Sequence, residues 1–136
     1  MKKLNIWKND ESLLETHSDD RGIIADIFYD SNIHHVALIN SKSGITRGDH
    51  YHKQTTQYTL VMKGKLEYWS KDVDSNQKPK CIIMDEGDMI ESPPMVIHSF
   101  RFLTDNQMMV FTKGKRGGKD YEDDTFRLNN SIIGIN

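Results

Sequence analysis

Apolar and polar positions along this chain alternate in short bursts separated by turn residues, and no stretch carries a helical stripe of three or more turns. Seven segments read as strands: "GIIADIF" (Gly22 to Phe28), "HHVALIN" (His34 to Asn40), "QYTLVMKGKLEYWSK" (Gln57 to Lys71), "KCIIM" (Lys80 to Met84), "DMIES" (Asp88 to Ser92), "VIHSFRFL" (Val96 to Leu103) and "QMMVFTK" (Gln107 to Lys113). Strands this short and this regularly spaced predict an all-β sandwich or barrel. Gly64 marks a tight turn between two alternating strands, and "DSNQKP" (Asp74 to Pro79) is a polar loop before the next. Helix is expected only at the ends, as a short amphipathic piece near "NDESLLE" and a turn in "KDYEDDTFRL". The acidic cluster Glu122, Asp123 and Asp124 in that second piece reads as a solvated terminal face.

Length and charge narrow the partners. The 136 residues suit one domain, expected to span 1–136, with no repeat, linker or low-complexity segment. A formal net charge of -2, from 18 basic and 20 acidic residues, gives no field that would attract nucleic acid or an anionic membrane, so neither is expected as a partner. Cys81 is the single cysteine, which rules out an intrachain disulfide and fits a reducing compartment. No apolar run approaches the ~20 residues of a membrane span, and "MKKLNIWKND" turns polar before it could serve as the core of a signal peptide. These features lead to the expectation of a soluble, cytoplasmic protein.

The chemistry concentrates in "GITRGDHYHKQTTQYTLVMKG", Gly44 to Gly64. Period 2 along a strand places His50 and His52 on one face and Tyr51 on the other, so two imidazoles converge on one space. The spacing of Gly44, His50, His52, Gln57 and Gly64 resembles the first motif of the cupin superfamily, with Gln57 where that family usually has glutamate. "GDMIESPPMVIHSFRF" resembles the second motif: Gly87, Pro93 and His98 fall in register, while Met95 and Phe102 replace a glycine and an asparagine. The resemblance covers roughly the middle half of the chain and implies a double-stranded β-helix, the cupin jelly-roll barrel, with the histidines at its mouth.

"SDDRGIIADIF" and "ITRGDHYHK" are similar to the nucleotide-sugar branch of the cupins: 3,5-epimerases and 3,4-ketoisomerases of dTDP-4-keto-6-deoxy sugars, and cupin domains of capsule-precursor enzymes. The epimerases carry a catalytic lysine where this chain has Thr59, and a catalytic tyrosine on a late strand where it has the apolar "MMVF". Those departures favour the other two branches. The resemblance implies an isomerase or epimerase of a nucleotide-linked 4-keto-6-deoxy sugar in surface-polysaccharide precursor synthesis, and a homodimer paired through its sheets.

A 4-keto sugar gives such residues a task. A proton on carbon next to a ketone can leave because the charge delocalises into an enolate, and imidazole both removes and returns it near neutral pH. His50 and His52 are therefore the expected catalytic pair, with no cofactor required. Arg21, Arg47 and Lys53 suit the diphosphate of a nucleotide carrier, and His98 and Tyr58 complete the expected substrate-binding set. Tyr58, Tyr68, Phe100 and Phe102 alternate as barrel residues do, for core packing or as a platform for the base. His17, His34 and His35 have no spacing partner and read as surface or strand-edge residues.

The same set supports a competing chemistry. His50, His52, Gln57 and His98 offer three imidazoles and an amide oxygen, a donor set for a divalent transition metal such as zinc, iron or nickel. A histidine bound to metal cannot also accept a proton. A non-catalytic cupin that binds a sugar or a metal, and a metal-dependent cupin oxygenase, are the alternative functions.

Overall fold

The alternating segments form antiparallel strands in a computed structural model, which describes residues 3–8, 15–114 and 118–135. In chain order these are β1 (Leu4–Asn5), β2 (Thr16–Asp19), β3 (Gly22–Ala25), β4 (His35–Ser41), β5 (Thr46–Tyr51), β6 (Thr56–Lys63), β7 (Leu66–Asp72), β8 (Lys80–Met84), β9 (Asp88–Ser92), β10 (Val96–Phe102), β11 (Asn106–Lys113), helix α1 (Gly118–Asp123) and β12 (Phe126–Arg127). Two five-stranded sheets face each other, in the orders β1-β9-β6-β11-β4 and β12-β5-β10-β7-β8, and β2 and β3 form a separate hairpin. From β4 to β11 the chain crosses between the two sheets at every connection except the β7–β8 hairpin, which stays in the second sheet; this is the jelly-roll course.

The chain crosses between the sheets at Gly64. Its φ of +93° lies in the left-handed region, and a Cβ there would run into the Asp105 carbonyl. The strands on either side, β6 and β7, lie in opposite sheets and do not pair with each other. The segment expected as one strand over Gly22 to Phe28 ends at Ala25. The amphipathic piece expected near "NDESLLE" falls on residues 9–14, outside the described residues.

The facing sides of the sheets bury Val61, Leu66, Tyr68, Met84, Ile90, Phe100, Phe102, Met108 and Val110 as one core. Tyr68, Phe100 and Phe102 pack there as the alternation indicated. Tyr68 keeps its phenol satisfied through Ser92 Oγ at 2.7 Å, and burial pushes its pKa well up, so it stays neutral. A second cluster, Ile6, Leu60, Met89 and Phe111, lies beneath Phe28 and Ile33 on the outer side of the first sheet. The C-terminal segment covers the outside of the second sheet, with Ile132 against Trp69 and Ile97. Among the described residues, no helix is long and apolar enough to cross a membrane.

Candidate active site

Strand β5 brings the site together through an irregularity. His50 pairs with His98 of β10, but Ser99 pairs with Gly48, so Asp49 is an extra residue bulged out of the ladder. Both bulge residues have positive φ, +99° at Gly48 and +58° at Asp49. A Cβ on Gly48 would stand 2.6 Å from the His98 carbonyl oxygen, closer than atoms pack. Asp49 fastens the bulge on the outside: its amide donates to Ser99 Oγ at 2.9 Å, and its carboxylate accepts from Ser99 Oγ at 2.6 Å and from the Ile132 amide at 2.9 Å. Strict period 2 would place Arg47 and His50 on opposite faces. The extra residue shifts the phase, and both line the same cleft.

Three imidazoles meet at the mouth of the barrel. The ring centroid of His50 stands 5.0 Å from that of His52 and 4.7 Å from that of His98, and His52 and His98 are 5.4 Å apart. One nitrogen from each ring falls within 4.8 Å of the others. His52 Nδ1 lies 2.8 Å from the Asp124 carbonyl and His98 Nδ1 lies 3.1 Å from the Val96 carbonyl. A carbonyl only accepts, so these contacts put the proton of each neutral ring on Nδ1 and the lone pair on Nε2.

The cleft beside them holds about 260 Å³. Its lining mixes apolar Ile39, Phe100, Met108 and Val110 with polar Arg47, His50, Gln57, Thr59, Tyr121 and Arg127. Gln57 is 5% exposed and projects from β6 in the facing sheet. Tyr121 arrives from α1, its ring 6.3 Å from His50 and 5.8 Å from His52. Arg127 pairs with Glu122 through two bonds of 2.9 and 3.0 Å, while Arg47 donates to Ser41 Oγ at 2.8 Å and to the Asn40 carbonyl at 3.3 Å.

Asp124 departs from the solvated acidic face expected of its cluster. Its carboxylate accepts the amides of Lys53, Gln54 and Thr55 at 3.0, 3.1 and 3.1 Å, clamping α1 onto the loop that follows His52. Burial pushes the carboxyl up, but those hydrogen bonds and the nearby His52 outweigh it and hold the pKa below the ordinary value. Glu122 meets its expectation of exposure, at an ion pair with Arg127.

The structure brings His50, His52, His98, Gln57 and Arg47 together and separates the other expected residues from them. Tyr58 faces outward from β6 and packs edge-on against Phe28 and beside Phe111, 5.0 Å from Phe28, because its neighbours Gln57 and Thr59 take the inner face. Alternation from Gln57 carries that signal in the sequence. Arg21 sits in the β2–β3 turn, paired with Asp19, and lines a different depression on that hairpin. Lys53 turns its ammonium over the Phe126 ring at 4.3 Å, and is not among the residues lining the cleft. Sequence reasoning missed Tyr121 and Arg127. Their approach depends on β12 pairing with β5, Arg127 opposite His50, a contact with no local signature.

Comparison with known proteins agrees with this architecture. A family model described as "Polysaccharide biosynthesis C-terminal domain" matches residues 17–126. The UDP-2-acetamido-2,6-beta-L-arabino-hexul-4-ose reductase of Pseudomonas aeruginosa is 24% identical over 95 residues, 69% of this chain and 26% of that protein. The chain spans about a quarter of the length of the curated relatives it matches. Among solved structures, a 3,4-ketoisomerase from Helicobacter canadensis has a TM-score of 0.74 at 19% identity, over 97% of this chain and 93% of that one. A dTDP-4-dehydrorhamnose 3,5-epimerase from Sulfolobus tokodaii has a TM-score of 0.72 at 22% identity, over 87% of this chain and 75% of that one. The shared fold is the cupin-type jelly roll.

Proposed function

The chain belongs to the polysaccharide biosynthesis C-terminal domain family, and from that membership and the cleft we propose that it is an isomerase or epimerase of a nucleotide-linked 4-keto-6-deoxy sugar, working by histidine-mediated proton transfer. The observation that carries this reading is the convergence of His50, His52 and His98 with one nitrogen each inside 4.8 Å. His52, its Nδ1–H held by the Asp124 carbonyl, presents Nε2 as a base of fixed orientation. His50 stands beside it to return the proton at a neighbouring carbon or oxygen, which moves the ketone or inverts a centre through an enediol-like intermediate. Arg47 and Arg127 in the same cleft suit the diphosphate, and the apolar lining residues Phe100, Met108 and Val110 suit the methyl group of a 6-deoxy sugar. A volume near the lower end of small-molecule sites, roughly 300–1,000 Å³, accepts the sugar and lets the nucleotide extend outward. The fold shared with a ketoisomerase and an epimerase supports this reaction class, and Thr59 in place of the epimerase lysine favours ketone migration. The proposed setting is the cytoplasm, where nucleotide carriers are available.

A second reading rests on the same nitrogens. Two of the three imidazoles donate Nδ1–H to backbone carbonyls, the way metal-ligating histidines are held, so the site fits a divalent transition metal such as zinc, iron or nickel. His50, His52, His98 and Gln57 would hold it, and it would supply Lewis-acid polarisation of a carbonyl oxygen. Dialysis against a strong chelator separates the two: unchanged turnover supports the metal-independent reaction, and loss that one added metal restores supports the second.

The proposal includes a homodimer. Edge strand β4 presents Val36 and Leu38 outward at 53% and 59% exposure, apolar positions that a second copy would cover.

The test is incubation with freshly generated dTDP- or UDP-4-keto-6-deoxyhexose and product analysis by NMR. A ketone shifted to carbon 3, or an inverted ring carbon, is the expected product. Tight binding with no product would favour the non-catalytic sugar-binding alternative.

A further inference from the structure

The inner faces of β6 and β11 change character along their length. At one end they present Val61, Met108 and Val110, which belong to the barrel core. At the histidine end the same faces present Gln57, Thr59 and Thr112, all at 5% exposure or less. Thr112 pairs with Gln57 and Val110 with Thr59, so the polar side chains form one patch on the sheet opposite β5 and β10. The Thr59 hydroxyl is buried and meets no hydrogen-bond partner among the described residues, yet Thr59 lines the cleft together with His50 and Gln57.

A buried hydroxyl without a partner destabilises a fold, and valine would fill the same space without that cost. We propose that Thr59 is a specificity-determining residue whose hydroxyl hydrogen-bonds an oxygen substituent of the bound sugar, deep in the cleft and across from His50. This rests on the nucleotide-sugar reading and adds which side chain reads the sugar ring from the far sheet. A site built around such a hydrogen bond discriminates strongly against ligands that cannot complete it.

The experiment compares wild type, Thr59→Val and Thr59→Ser by thermal unfolding, with and without dTDP-4-keto-6-deoxyglucose, and by kcat/KM on that substrate. Without ligand, Thr59→Val should melt at or above the wild-type temperature, because the orphaned hydroxyl is gone. Its kcat/KM should nevertheless fall by about tenfold or more, the size of effect one lost pocket contact gives, and the ligand-induced rise in melting temperature should shrink with it. Thr59→Ser, which keeps the hydroxyl, should stay near wild type in kcat/KM. Wild-type kcat/KM and an undiminished ligand shift in Thr59→Val would overturn the role of Thr59 and leave the nucleotide-sugar reading standing. A Thr59→Val protein that melts several degrees lower, with Thr59→Ser equally impaired, would make the residue structural and also overturn it. Absence of both turnover and ligand shift in wild type would bring down the functional reading and this inference with it.

Discussion

His52 and His98 each direct Nδ1 at a backbone carbonyl, and that pairing sets which nitrogen of the neutral ring carries the proton. Replacing His50 or His52 by asparagine should therefore lower turnover by a factor of order 10² or more, the usual contribution of a positioned acid or base. His50 is half-buried at the mouth, so His50→Asn should change stability by no more than about 1 kcal/mol; urea denaturation beside the rate assay separates the two effects. Wild-type turnover in both variants would remove the histidines from the chemistry. Gly48 tests the backbone beneath them. Alanine there needs a left-handed φ and brings its Cβ to 2.6 Å from the His98 carbonyl, so Gly48→Ala should destabilise by about 1–3 kcal/mol and depress activity by displacing His50 and Arg47 together. The two histidines were legible because period 2 survives from residue 50 to 52. Arg47 was singled out by its guanidinium and its place in the "ITRGDHYHK" resemblance, not by strand phase, since the bulge that turns it toward His50 depends on Asp49 finding Ser99 and Ile132, partners 50 and 83 residues away in the chain.

The end of the described chain works as one element. Helix α1, the Asp124 clamp and the short β12 hold Tyr121 and Arg127 at the mouth of the cleft. Asp124→Ala removes the acceptor of three amides and should cost about 1–2 kcal/mol at neutral pH, the loss seen when a capping carboxylate goes, with a fall in activity as α1 loosens. The pH dependence has a definite sign. A carboxyl held below its ordinary value adds stability that is present above the unfolded pKa, near 3.8, and is lost as pH falls through the lower folded value. The gap in stability between wild type and Asp124→Ala should therefore narrow toward pH 3, and a gap that stays constant from pH 7 to pH 3 would show that the carboxylate is not the clamp. Composition marked Glu122, Asp123 and Asp124 as a solvated run because charge runs usually are. Only tertiary contact with the amides after His52 distinguishes Asp124 from its neighbours.

Across the whole molecule, an all-β sandwich or barrel was readable from strand length and spacing, because each inner face must alternate with an outer one to bury a core between two sheets, and the jelly-roll course followed from the resemblance of the two histidine motifs to the cupins. The pairing of those strands was not, since crossings such as Gly64 join opposite sheets where the local sequence reads as a hairpin. Tyr58 marks the same boundary: its aromatic ring suits a base platform, but its phase relative to Gln57 commits it to the outer layer with Phe28. Leu38 and Val36 stand exposed on edge strand β4, where a second copy would cover them. If two copies pair through β4, Leu38→Glu should shift the protein from dimer to monomer in sedimentation analysis, while an unchanged mass in both forms would rule that interface out. If the histidines move a proton beside the ketone, wild type incubated with dTDP-4-keto-6-deoxyglucose in deuterium oxide should lose the carbon 3 proton and take up deuterium, at carbon 4 when the ketone migrates to carbon 3 and at carbon 3 when that centre is exchanged or inverted, both read by NMR. His50→Asn and His52→Asn should slow this by about 10²; a wild-type protein that binds the sugar nucleotide but incorporates deuterium at neither carbon would contradict it.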